Sequence, residues 1–224
     1  MPTLETPGPL RWAPLKDKQR SIRAGFPEPL GLRVHRALSW LGRAEREVAD
    51  SDVRFVLLWV GFNAAYASGL AGDADNERSA FQAYFDAVVA LDGERRIYNV
   101  VWTRFPHEIR VLLDNKYVFA PFWNHHNGSA GYADWAERLA RSHHVIAVAL
   151  ARQDTPKILS VLFDRLYVLR NQLLHGGATW NSGVNRQQVR DGAAIMDWLL
   201  PIFIDIMMDH PRHEWGRPHY PVVE

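Results

Sequence analysis

The chain has 224 residues, 47% of them hydrophobic, and a formal net charge of +1. Its nine Trp and ten Phe supply the aromatic content that disordered chains lack, so one folded domain is expected over most of the length. The absence of cysteine excludes disulfides, zinc fingers and a Cys nucleophile, and the near-neutral charge argues against the broad basic surface of a sequence-independent duplex binder.

Six of the thirteen prolines fall in the first 29 residues, and the stretch shows no apolar period. It reads as an extended N-terminal arm over 1–30, which excludes a secretory signal helix and leaves the cytoplasm as the default location. The main helical domain is then expected over 31–209, with a C-terminal tail at 210–224. Residues 31–49 place Leu32, Leu38, Leu41 and Val48 at helical spacing, and Asp50-Ser51-Asp52 breaks that run. Asp52 is placed to cap the next segment, 53–70, which is apolar almost all round and reads as a central helix. A turn over 69–75 leads to an amphipathic helix at 76–91 carrying Phe81, Tyr84, Phe85, Val88 and Leu91 on one side. A short helix from Glu94 follows, and between Phe105 and Gly128 the pattern loosens.

Helical periodicity returns over 130–152. Asp154-Thr155-Pro156 is a helix start, an acidic or hydroxyl cap followed by a proline whose missing N–H is harmless in the first turn, and its helix runs to Leu174. Asn181-Ser182 is placed to cap a last long helix, kinked at Pro201. That helix holds the most hydrophobic run, 193–208, yet Asp197, Asp205 and Pro201 interrupt it before the ~20 apolar residues a membrane span requires. No alternating strand pattern, repeat or low-complexity segment is present. The fold class expected is all-α, a bundle of five to seven helices.

The stretch RLYVLRNQLLHGGATW at 165–180 carries the most chemistry. At about 100° per residue, Leu162, Leu166, Leu169 and Leu173 fall in one narrow arc, and Ser160, Asp164, Tyr167, Asn171 and His175 form a polar line opposite it. Such a line is either a solvated helix back or a surface able to bind a sugar, phosphate or base. Arg170 and His175 stand about 140° apart around the axis and about 7.5 Å along it. One helix converges them poorly, whereas two copies facing across a two-fold axis bring both pairs to one groove. RNA is cut without metal when its 2′-hydroxyl attacks the adjacent phosphorus. Imidazole, ordinarily titrating at about pH 6.5, suits the proton transfer, and guanidinium suits the phosphoryl oxygens. Asn171, one turn before His175, is placed to orient the imidazole or hold the phosphate.

The Arg170-Asn171 pair, the four residues before His175, the following GGATWNSGVNR and the upstream WVGFNAAYA at 59–67 together resemble the HEPN domain family (higher eukaryotes and prokaryotes nucleotide-binding) over about residues 50–208. The resemblance implies an up-and-down helical bundle, here with extra helices, and a metal-independent, cofactor-free endoribonuclease site of Arg170 and His175, supported by Asn171, in a homodimer. Cleavage by internal transphosphorylation would leave 2′,3′-cyclic phosphate ends on single-stranded or loop RNA, in toxin or phage-defence biology, with an antitoxin or regulatory protein as a further partner. Members paired with a nucleotidyltransferase antitoxin resemble Arg-x4-His-x-Tyr, and position 177 here is Gly, so that regulation is not transferred. The resemblance also admits a non-catalytic module that binds RNA, nucleotide or protein through the same groove. A third reading makes Arg170 and His175 cations at a helix C-terminus.

Asp164, Tyr167, Arg186 and Arg190 are the remaining substrate-binding candidates. The two arginines either extend a phosphate groove beside Gly176-Gly177 or are solvated or paired with neighbours such as Asp191. The His125-His126 and His143-His144 pairs are poor metal sites because successive helical residues diverge, and His210, His213, Glu214 and His219 read as surface loop residues. No metal site is expected. The aromatics Tyr117, Phe119, Phe122, Trp123, Tyr132 and Trp135 either stack bases or anchor a loop on the core.

Overall fold

A computed structural model describes residues 8–67, 74–183, 185–218 and 220–222, with the backbone alone for 74–80. The expected turn at 69–75 therefore lies largely outside the described residues, as does His219. Ten α-helices and no β-strand occur among those described. They are α1 (Trp12–Ile22), α2 (Glu28–Arg46), α3 (Ser51–Tyr66), α4 (Ala74–Leu91), α5 (Arg96–Asn99), α6 (Pro106–Asp114), α7 (Ala120–His126), α8 (Trp135–Arg152), α9 (Thr155–Leu174) and α10 (Arg186–Asp209). The fold class is all-α. No helix among the described residues is long and apolar enough to cross a membrane.

The expected N-terminal arm is corrected from Trp12 onward, where the chain is helical. Pro14 falls in the first turn, whose N–H groups have no intrahelical acceptor to lose. Two acids of α10 explain why α1 docks. Asp197 lies 3.2 Å from Arg11 Nη1 and 2.6 Å from Arg54 Nη2, and Asp205 accepts from Lys18 Nζ at 2.7 Å and from Arg96 Nη1 at 2.6 Å. Both carboxylates are buried, and uncompensated charge there would be costly. Burial works against the Lys18 ammonium, but its hydrogen bonds to Asp205 and Asp209 outweigh that and hold it above the ordinary lysine range.

Helix α2 ends at Arg46, so Val48 lies outside it and is 80% exposed. The cap of α3 is Asp50, whose Oδ1 accepts from the N–H groups of Asp52 and Val53. Asp52, expected to be that cap, has another role described below. Helix α10 starts at Arg186 after a left-handed Asn185, with no side-chain cap from Asn181 or Ser182, and continues through Pro201. The loosened stretch after Phe105 contains α6, a 3-10 turn at Lys116–Val118 and α7.

Helix directions follow from named contacts. Arg33 Nη1 near the start of α2 donates to Ala65 O at the end of α3, so these two run antiparallel. Asp52 meets Arg186, and a Cβ on Gly192 would touch Phe55 while one on Gly61 would touch Leu200, so α3 and α10 run parallel. Gln172 meets Asn185, and α9 returns antiparallel to α10. The C-termini of α2 and α9 and the N-termini of α3 and α10 therefore share one end of the bundle. An aromatic cluster of Trp59, Phe62, Phe81, Phe85, Phe163 and Phe203 fills the centre. Beyond α10 the chain is fastened to the core: Arg33 donates to Gly216 O and Arg217 O, and Trp215 packs against Tyr84.

Candidate functional site

Helix α9 has the expected bounds, and Asp154 caps it by accepting from Lys157 N at 3.1 Å. Its surroundings differ from expectation. It lies against α3, α4, α6, α8 and α10, and Ser160 and Val168 are buried alongside the leucine arc. The polar line is thus no open groove over its length. Tyr167 is half-buried with its ring 6.1 Å from that of Trp59, and Asp164 is half-buried. Arg170 and Asn171 are half-buried as well, and the helix end is exposed only from Leu174 and His175 onward.

At that end the backbone sets the geometry. His175 N donates to Asn171 O at 2.9 Å and is the first residue outside the helix. Gly176 then takes φ of +71°, the left-handed conformation that commonly ends helices at glycine, and Ala178 N returns to Gln172 O at 3.1 Å. The His175 side chain is exposed and makes no hydrogen bond among the described residues. Arg170 Nη1 donates to Asn171 Oδ1 at 2.8 Å, its Nε is buried without a hydrogen bond, and its guanidinium carbon lies 5.9 Å from the centre of the Tyr167 ring. No carboxylate pairs with it among the described residues. Asn171 therefore orients Arg170 in this structure, rather than the imidazole.

The turn that carries the chain from His175 to α10 is anchored by two acids from the start of α3. Trp180 Nε1 donates to Asp50 Oδ2 at 2.6 Å, and Asn181 N donates to Asp52 Oδ2 at 2.8 Å. The Trp180 hydrogen bond, with those from the Val53 and Asp52 backbone and the nearby Arg186 charge, outweighs partial burial and holds the Asp50 carboxyl below the usual carboxylate range. Arg186 grips Asp52 with both terminal nitrogens, at 2.8 and 3.0 Å, and donates from Nε to Ser182 O. Of the two roles open to it, Arg186 takes the paired one, with Asp52 rather than Asp191 as partner, and a guanidinium so committed has no free fork for a phosphate. Arg190 is exposed with no acid partner among the described residues, and Asp191 accepts from Gln187 instead.

Gln172 was missed from the sequence and joins two loops. Its Nε2 donates to Tyr117 O at 2.6 Å, and its Oε1 accepts from Asn185 Nδ2 at 2.7 Å. Behind it, the cavity bounded by Asp52, Gln172 and Arg186 measures about 10 Å³, no more than one water fills. The motif end is packed against the starts of α3 and α10 through these bonds. Around it Val48, Leu174 and Trp180 are 80%, 48% and 73% exposed.

Arg165 was also missed: 3% exposed, it donates to Ser142 Oγ at 3.0 Å and lies 4.5 Å above the Phe119 ring. Its position about 70° from the centre of the leucine arc was the available signal. The aromatics of 117–135 form a satellite cluster, Phe122 standing 5.5 Å from Tyr117 and 5.0 Å from Trp135. His125 and His126 lie around the Trp135 ring, and the His213 ring packs on Trp215 at 4.5 Å. Between α6 and α8 an open groove of about 590 Å³ is lined by His107, Arg110, Asp114 and His143, with His143 Nε2 3.1 Å from Asp114 Oδ1 but out of line for a hydrogen bond. No group of three or more His, Asp or Glu able to hold a metal occurs among the described residues. No protein-family profile, curated protein or solved structure matches the chain.

Proposed function

We propose that the chain is a metal-independent endoribonuclease of the HEPN type, acting as a homodimer on single-stranded or loop RNA, with a toxin or phage-defence role. The observation that carries the reading is the end of α9, where Arg170 has no carboxylate partner among the described residues and the His175 imidazole is exposed and unbonded. In the proposed reaction His175 accepts the proton of the 2′-hydroxyl as its oxygen attacks phosphorus. The bond to the 5′-oxygen breaks, and that oxygen takes a proton from the second copy's imidazole or from water. Arg170 compensates the charge that develops on the phosphoryl oxygens. Arg190 remains free to hold a neighbouring phosphate.

A second copy supplies what one end lacks, since Arg170 and His175 diverge by about 140° around one helix axis. The exposed Val48, Leu174 and Trp180 around the motif give a two-fold contact its apolar area, and the contact places two arginines and two imidazoles against one RNA. A regulatory protein or antitoxin would act by covering this same end. The Arg170 to Asn171 hydrogen bond also favours a second reading, a non-catalytic module that binds RNA without cutting it.

The test is cleavage of mixed labelled RNAs in excess EDTA by wild type, Arg170→Ala and His175→Ala. Cleavage by wild type alone, leaving 2′,3′-cyclic phosphate ends, is the expected result. RNA binding without cleavage by any of the three moves the assignment to the binding module, and neither binding nor cleavage removes both.

A further inference from the structure

Helix α1, absent from the sequence-based expectation, forms an antiparallel pair with α2. Trp12 N donates to Glu45 Oε1 at 2.7 Å, and the Trp12 ring lies so close to Gly42 that a Cβ there would stand 2.7 Å from Nε1. Between the two helices runs a groove of about 370 Å³ lined by Trp12, Lys16, His35, Ser39, Arg43 and Arg46 along with Gly42. The lining holds no carboxylate. Its spacing is regular: Trp12, Lys16 and Arg20 recur on one face of α1, continued by Arg23 in the 3-10 turn Arg23–Gly25, and His35, Ser39, Arg43 and Arg46 on one face of α2.

Most of this charge is unneutralised. Arg43 pairs with Glu47 at 2.9 Å and Arg20 with Asp17 at 3.1 Å. Lys16 meets only the Gln19 amide oxygen, at 2.7 Å, and Arg46 has no acid partner among the described residues. Burial, and then the charges of Arg20 and Arg23, hold Lys16 below the ordinary lysine range, as befits a cation crowded by like charge. The larger α6/α8 groove includes Asp114 and lacks this single sign.

We infer that the α1–α2 groove is a track for the phosphate backbone of single-stranded RNA, with the half-buried Trp12 indole as a platform for a base. Grooves that combine cations along a backbone with an aromatic face are the general solution for single strands. The groove also leads toward the motif. Arg46 is four residues before Asp50, which accepts from Trp180 in the turn after His175, and four residues span at most about 14 Å. The inference rests on the ribonuclease reading for the identity of the polyanion; the groove itself does not depend on catalysis.

The test uses the full chain carrying His175→Ala, so that RNA stays intact, and follows a fluorescent oligouridylate by anisotropy over a salt series in EDTA. Adding Lys16→Gln and Arg46→Gln, with folding checked by melting, is expected to weaken binding about tenfold and to flatten the log–log salt slope by about 1.4, at about 0.7 for each phosphate no longer neutralised. Gly42→Ala, which displaces Trp12, should weaken binding without changing the slope. Unchanged affinity and slope in the double variant overturn the inference. So does wild type binding duplex RNA more tightly than the single strand, or binding anionic vesicles and no RNA. Groove-dependent binding with no cleavage by an otherwise wild-type chain would sustain the groove and sink the nuclease reading. Groove variants on the wild-type background that lose cleavage of long RNA, yet still cleave a dinucleotide, sustain both.

Discussion

The buried half of α10 and the exposed end of α9 treat charge in opposite ways. On α10 two carboxylates sit among large apolar side chains, and each is met by two cations drawn from distant parts of the chain: Asp197 by Arg11 and Arg54, Asp205 by Lys18 and Arg96. At the end of α9, Arg170 has an amide for a neighbour and a buried Nε without a hydrogen bond, and His175 stands in solvent. The nearby acids Asp50 and Asp52 do not neutralise either one; they hold the turn and Arg186. The carboxylates of α10 are matched by opposite charge, whereas the cations at the end of α9 are not, and under the proposed reading that is where a phosphate has something to gain.

The contrast predicts a hierarchy of effects. Arg170→Ala and His175→Ala should each lower RNA cleavage by about 10³-fold, within the range general acid–base and charge-stabilising groups supply, as read by single-turnover cleavage in EDTA. Asp205→Ala should remove about 3 kcal/mol of stability in chemical denaturation, the low end for breaking a buried pair, because Lys18 and Arg96 remain partly open to water. Asp52→Ala should cost about 2 kcal/mol, since it frees both the Arg186 fork and Asn181 N–H. It should also slow cleavage by loosening the turn beyond His175. An Asp52→Ala variant as stable as wild type would break the comparison.

The smallest effect is one of pH. The folded Asp50 carboxyl lies below its unfolded value, so its contribution is fully present above the ordinary carboxylate range of about 4 and is lost as pH falls through the depressed folded value. Trp180→Phe removes the principal cause of that depression and should leave a shallower decline of melting temperature on the acid side. An identical acid profile would show that the Trp180 contact does not hold the turn.

How much of this was legible in the chain depends on the distance between partners. The start and end of α9, with Asp154 as its cap and Gly176 at its end, are local signals and appear where the sequence places them. The run at 193–208 is buried, as its hydrophobicity requires, except at Ala194 and the half-buried Trp198. Helix α1 was hidden because its apolar repeat is weak and prolines surround it, and its docking depends on Asp197 and Asp205, far along the chain. Asp52 reads locally as a cap, yet its partner is Arg186 on another helix. The polar line on α9 was read from angles about one axis, which say nothing of the neighbouring helices; those neighbours bury Ser160 and pack Tyr167 against Trp59. Arg170, Asn171 and His175 were legible by type and spacing, while the Arg170 to Asn171 bond and the anchoring of the turn by Asp50 and Asp52 required the fold.

The most direct test of the central claim sets cleavage and stability side by side in His175→Gln, which removes the titratable ring and keeps a polar side chain. A catalytic imidazole predicts loss of cleavage with a melting temperature within a few degrees of wild type, because a solvent-exposed terminal residue contributes at most about 1 kcal/mol. Retained cleavage, or a large fall in melting temperature that accounts for the lost activity, would contradict it and leave His175 a helix cap.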